Sequence, residues 1–117
     1  MSHRTDARTQ LYKSEIVTVA TTITIAGMSP TSVNHFAGCR YYADSAGAAT
    51  AVPAAGTVAI QGLDATTNEF TDFATSPLTS TDVTDKTSAT ANITEVKAVP
   101  TGLTTATHYQ LFVTSNV

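Results

Sequence analysis

The sequence predicts an all-β protein: a single antiparallel β-sandwich of about six to eight short strands behind an extended N-terminal arm. Three observations carry that expectation. About one residue in five of the 117 is threonine, whose β-branched side chain is stiff at χ1 and suits a pleated strand. Straight-chain helix formers are scarce, with three Glu, three Lys and two Met, and the abundant alanines sit beside Gly, Pro and Thr, where no helical stripe can be drawn. Apolar residues recur with a period of two, as strands with one buried face require. A chain of this length forms one domain and buries one modest core without metal or disulfide. We divide it into an arm, 1–12, and a sandwich, 13–117.

The arm is polar and lacks periodicity. Alternation starts abruptly after Lys13, with Val17, Val19, Ile23 and Ile25 on one parity and threonines and Ala20 on the other. A run this long can bend near Thr21-Thr22 and serve two sheets, and Pro30 ends it because proline cannot continue a ladder. Phe36 to Tyr42 is the next strand, with Phe36 and Tyr42 on one face and Ala37, Cys39 and Tyr41 on the other. Ala43 to Gly56 is small, nearly uncharged and too long for a hairpin turn, so it reads as an exposed or crossing loop. Thr57 to Leu63 points Val58 and Ile60 inward. An Asx- and Thr-rich turn over 64–68 leads to a short strand carrying Phe70 and Phe73. After a polar connection, Lys86 to Asn92 pairs weakly. Ile93 to Val99 follows, with Thr94, Val96 and Ala98 inward, since burying Glu95 and Lys97 unpaired would be costly. Pro100-Thr101-Gly102 turns the chain into a last strand in which Tyr109, Leu111 and Val113 alternate. The expected core is Val17, Val19, Ile23, Ile25, Val58, Ile60, Phe70, Val96, Leu111 and Val113.

Charged residues make up 13% of the chain, against roughly 25% in an average domain, and the net charge is −3. That balance implies no surface for nucleic acid. No apolar run is long enough for a transmembrane helix, and the first residues lack the apolar core of a secretory signal, so no membrane partner is expected. Arg4, Arg8 and Lys13 are half of all the cationic side chains and lie within the first 13 residues. They suit an arm that stays outside its own sandwich and lies along an acidic surface of a neighbouring chain.

Catalysis needs convergent acids, bases or nucleophiles, and we expect no catalytic, cofactor or metal site. His3, His35 and His108 are scattered, none at zinc-ligand spacing from another His or from Cys39. His108 reads as a capping or surface residue at a strand start. The lone Cys39 falls in an apolar strand pattern and reads as a small buried side chain. Asp64-x-Thr66-x-Asn68-Glu69 lacks the glycine and the final glutamate of a calcium loop, and Asp82 with Asp85 is a weaker hint of the same kind. Asn92-Ile93-Thr94 matches a glycosylation acceptor without a secretory context. The surface residues left to interpret are aromatic. Neighbours in a strand point to opposite faces, so Tyr41-Tyr42 should place one ring outward, to stack on a sugar or anchor a protein. Phe112 is opposite in parity to Leu111 and Val113, which points to two-sided burial or a subunit contact. Partner-binding residues are therefore expected among Arg4, Arg8, Lys13, Tyr41, Tyr42 and Phe112.

The run Pro53-x-x-Gly56-Thr57-Val58-x-Ile60, the aromatic Phe70, then Val96-x-Ala98-Val99-Pro100-x-Gly102 and Ala106-Thr107-His108-Tyr109 resembles small β-sandwich virion proteins of tailed bacteriophages. The resemblance spans roughly Pro53 to Val113, and Gln61-Gly62 departs from it where a charged residue is expected. It implies a non-enzymatic structural role in the virion, foremost as a capsid decoration (cement) protein on the capsid surface, with tail or neck component as the alternative. It further implies the major capsid protein or other virion proteins as partners and a homo-oligomer, a trimer by family habit. From another class, a carbohydrate-binding module is the rival reading, and a flanking glycosidase gene in place of a capsid gene would favour it.

Overall fold

The computed structural model describes residues 9–79 and 82–116. It is all-β, with nine strands among the described residues: β1 (Thr9–Lys13), β2 (Val17–Thr18), β3 (Ile23–Ala26), β4 (Asn34–Tyr42), β5 (Thr57–Asp64), β6 (Glu69–Asp72), β7 (Thr84–Thr90), β8 (Ile93–Thr101) and β9 (His108–Asn116). One sheet runs β1-β9-β4-β7, with β2 also paired to β9; the other runs β3-β8-β5-β6, and every pairing is antiparallel. The long early run does serve both layers. Val17 and Thr18 pair with β9 in the five-stranded sheet, the chain turns over 19–22, and Ile23 to Ala26 pair with β8 in the four-stranded sheet. Tyr109 fastens this crossing, its buried hydroxyl donating to the Thr21 carbonyl at 2.5 Å.

The expected boundary between arm and sandwich falls inside a strand. Thr9 to Lys13 pair residue for residue with Asn116 to Phe112, so β1 is an edge strand of the sandwich. The polarity that suggests an arm is the ordinary character of an exposed edge, where Gln10 and Leu11 face solvent. Residues 1–8, and Arg4 and Arg8 with them, lie outside the described residues.

The core lies between the sheets. Ile23, Val58, Ile60, Val96, Leu111 and Val113 are buried as expected, while Val17, Val19 and Ile25 are half-buried at its margin. Phe70 is a correction. It is 37% exposed, because its strand turns it to the outer face of the four-stranded sheet, where the Lys97 ammonium sits 4.2 Å from the ring centre. Phe73 takes the inward place. Beyond β6 the chain crosses between layers: Phe73 N–H donates to Ile60 and Ala74 N–H to Ser88, then Leu78 exchanges two hydrogen bonds with Val58. Phe73 and Leu78 thereby plug one open side of the sandwich. Ile93 is a second correction, buried although it shares parity with exposed-side Glu95. The register shifts at Leu63/Asp64, where Leu63 faces Glu95 and Asp64 faces Ile93, and this bulge flips Ile93 inward.

One close approach ties the two Gly motifs together. Gly56 has φ of 100°, and a Cβ there would lie 2.5 Å from backbone atoms of Gly102 and Leu103. Only glycine fits both the left-handed conformation and the gap.

Candidate functional site: the outer face of the five-stranded sheet

Register places the outward side chains of the five-stranded sheet in rows. Leu11, Thr114, Phe36 and Ser88 form one row, and Lys13, Phe112, Gly38 and Lys86 form the next. Gln110, Arg40 and Thr84 lie beyond them. Gly38 has no side chain between Phe36, Phe112 and Lys86, and the missing volume is the floor of a shallow apolar groove of about 200 Å³. Leu11 and Phe36, on the two strands that flank β9, are 59% and 55% exposed, large values for apolar side chains. Arg40 donates to Thr84 Oγ1 at 3.1 Å. No ion pair engages Lys13, Arg40 or Lys86 among the described residues. The strand residues sharing this face include no carboxylate, so it is cationic in an acidic chain.

Of the residues expected to bind a partner, this face brings together Lys13 and Phe112. Tyr41 and Tyr42 do not join them. They point to opposite faces as strand neighbours must, yet both are buried, Tyr41 in the core and Tyr42 under the following loop. That loop folds back on the strand. Ala43 N–H donates to Ala49, Ala51 N–H donates to Tyr41, and the Asp44 carboxylate accepts from the N–H groups of Ala48 and Ala49. Gly47 lies against Tyr42 and Ile16, where a Cβ would meet Ile16 at 2.7 Å. What reads as a flexible loop in sequence is therefore a fixed cover over Tyr42. Sequence reasoning missed Phe36, Gly38 and Lys86 as site residues. The signal was the parity of β4, which already put Phe36 on the face away from Cys39.

His35, His108 and Cys39 are held within the fold. His35 is fully buried, with Nδ1 2.7 Å from Ser115 Oγ and Nε2 3.1 and 3.0 Å from the carbonyls of Ser32 and Ala91. Nε2 must carry a proton to serve two carbonyl acceptors. His108 is half-buried at the start of β9, 2.9 Å from Thr107 Oγ1. Burial, with Asp85 adding repulsion, pushes the Cys39 thiol up to about 12, so it stays protonated and unreactive. Among the described residues no three His, Cys, Asp or Glu side chains converge as metal ligands would.

Asp85 is the one carboxylate here with a resolved cost. Burial raises its pKa above 3.8; the Lys86 N–H pulls the other way, and Asp82 adds repulsion. Its folded-state pKa is the higher one, so its contribution to stability becomes unfavourable as pH rises from about 3.8 through the raised value. Asp85→Asn should raise the melting temperature at neutral pH and lose that advantage in acid. A neutral-pH melt at or below wild type would contradict the assignment.

Residues 7–117 match a family described as Domain of unknown function (DUF7265). The chain belongs to that family. No curated protein matches it in sequence. Among solved structures, this DUF7265 chain is similar to the SPBc2 prophage-derived protein YomS, with a TM-score of 0.58 and 9% identity over 100% of both chains. At that identity the likeness is one of fold, and it includes the whole described sandwich. A slighter similarity, to the stem and receptor binding domain of the spike protein P1 from bacteriophage PM2, covers 84% of this chain and 56% of that one at 11% identity. Its TM-score of 0.32 carries no argument.

Proposed function

We propose that this protein is a non-enzymatic structural component of a bacteriophage virion, and within that class a capsid decoration protein. The observation that supports the class is the end-to-end fold likeness to a prophage-derived protein, met independently by the resemblance of Pro53 to Val113 to small phage sandwich proteins. The chemistry of the site agrees with it. An apolar groove lined by Lys86, on a face that also carries Lys13 and Arg40, suits adhesion, and the buried, hydrogen-bonded His35 and the protonated Cys39 thiol suit a scaffold. In this reading the protein self-associates, a trimer being what the resemblance to phage sandwich proteins implies, and attaches to the major capsid protein.

Electron microscopy of the virions tests it. Decoration predicts density for this sandwich at many equivalent capsid positions. Density confined to the tail or neck would keep the virion class and replace the role. A particle that lacks the protein altogether, with a glycosidase gene beside its own, would overturn both in favour of sugar binding.

A further inference from the structure

The two outer faces of the sandwich differ in charge. The outer face of the five-stranded sheet carries Lys13, Arg40 and Lys86 and no strand carboxylate. On the four-stranded sheet, Asp72 and Glu95 share the outer face, and Asp64 and Glu69 pair at the end of the β5–β6 hairpin. On that outer face the two carboxylates stand against one cation, Lys97, whose ammonium lies over the exposed Phe70 ring. Each copy thus presents a cationic, apolar face on one side and an anionic face with its own aromatic on the other. The three cations of the first face meet no opposite charge on it, and Lys97 offsets only part of the second.

Symmetric pairing through the cationic face would bring six cations together, and juxtaposed like charges are strongly unfavourable. Pairing unlike faces removes that repulsion and puts Phe70 of one copy within the apolar side of the next. The cationic face is four strands wide, with strands of five, nine, nine and seven residues, or roughly 500 Å² in projection. That is over half of the roughly 800 Å² per partner of a standard stable interface. We propose that copies of this chain associate head to tail, the outer face of the five-stranded sheet of one copy seating the carboxylate-bearing outer face of the four-stranded sheet of the next. This rests on the self-association proposed above and fixes its geometry: a heterologous contact, which closes into a ring when its rotation divides the circle and otherwise continues as a stack.

Light scattering and sedimentation of two charge-reversed variants test this contact. One is K13E/R40E/K86E and the other D72K/E95K, each checked for an unchanged circular dichroism spectrum and melt. The wild type should associate, and the association should weaken at least about tenfold on going from low to high salt. Each variant alone should associate at least about 100-fold more weakly. Mixed in equal amounts, they should recover association, because each reversed face then meets the other's complement. Wild type and both variants associating equally would leave self-association standing and overturn this contact. Loss in each variant without recovery on mixing would overturn it as well. A wild type that stays monomeric at millimolar concentration would overturn both, leaving the cationic face to an acidic protein of another kind.

Discussion

Ile60→Ala and Leu111→Ala should each lower the free energy of unfolding by about 2–5 kcal/mol. Both side chains are fully buried, one in each sheet, and both belong to the single core cluster between the layers. Truncation removes the transfer energy of three methyl or methylene groups and leaves a cavity that two hydrogen-bonded sheets cannot collapse to fill. The loss is read from urea midpoints, with an unchanged m-value showing that the mechanism of unfolding is the same. Phe70→Ala is the matched control. Its ring faces solvent under Lys97, so the change should cost less than about 1 kcal/mol. Costs of similar size at Ile60 and Phe70 would mean that the inward and outward faces of the four-stranded sheet are wrongly assigned.

The second large effect belongs to a residue with no side chain. Gly56→Val should destabilise by on the order of 2–5 kcal/mol, the sum of a left-handed backbone forced on a β-branched residue and a collision with the facing turn. The Cβ has nowhere to go, since its neighbours at 2.5 Å are backbone atoms of Gly102 and Leu103. Gly102→Ala separates the two contributions. Gly102 also has a positive φ, 66°, but nothing lies within 4 Å of its Cβ position, so only the conformational cost of about 1–2 kcal/mol remains. Equal losses at both glycines would show that backbone strain, and not the close approach, sets the cost at Gly56.

The sandwich, its core parity and the strand shared between two sheets are legible in the sequence because all three follow from period-two alternation. The misreadings have one physical source: parity says which face of a strand a side chain occupies, not what covers that face. Tyr42 occupies the outer face, yet the Ala43–Ala51 segment folds over it, held by Asp44 and backbone pairing that small, uncharged residues do not advertise. Ile93 departs because a bulge at Leu63/Asp64 moves it across the sheet, and a one-residue irregularity leaves no periodic trace. β1 escapes because Thr9 to Lys13 form an edge, whose partner strand lies about a hundred residues away in sequence. The candidate site was half legible. Lys13 and Phe112 are visible as a cation and an off-parity ring, whereas the notch at Gly38 exists only once β4, β7 and β9 lie side by side.

The placement of β9 has a consequence for how the protein is made. β9 lies inside the five-stranded sheet and supplies the ladders of β1, β2 and β4. While the ribosome is still synthesising residues 108–116, β1 and β2 have no strand to pair with, and β4 keeps only β7. Tyr41 and Cys39 then lack their ladder partners Tyr109 and Leu111 on the nascent chain. Folding of this layer must wait for the last strand, and its largest loops close late, the regime in which β-proteins fold slowly and are open to wrong partners. A nonsense or frameshift change at the start of β9 would therefore leave only the β4–β7 pairing of the five-stranded sheet. Such a chain would accumulate as aggregate, not as a shortened but working domain.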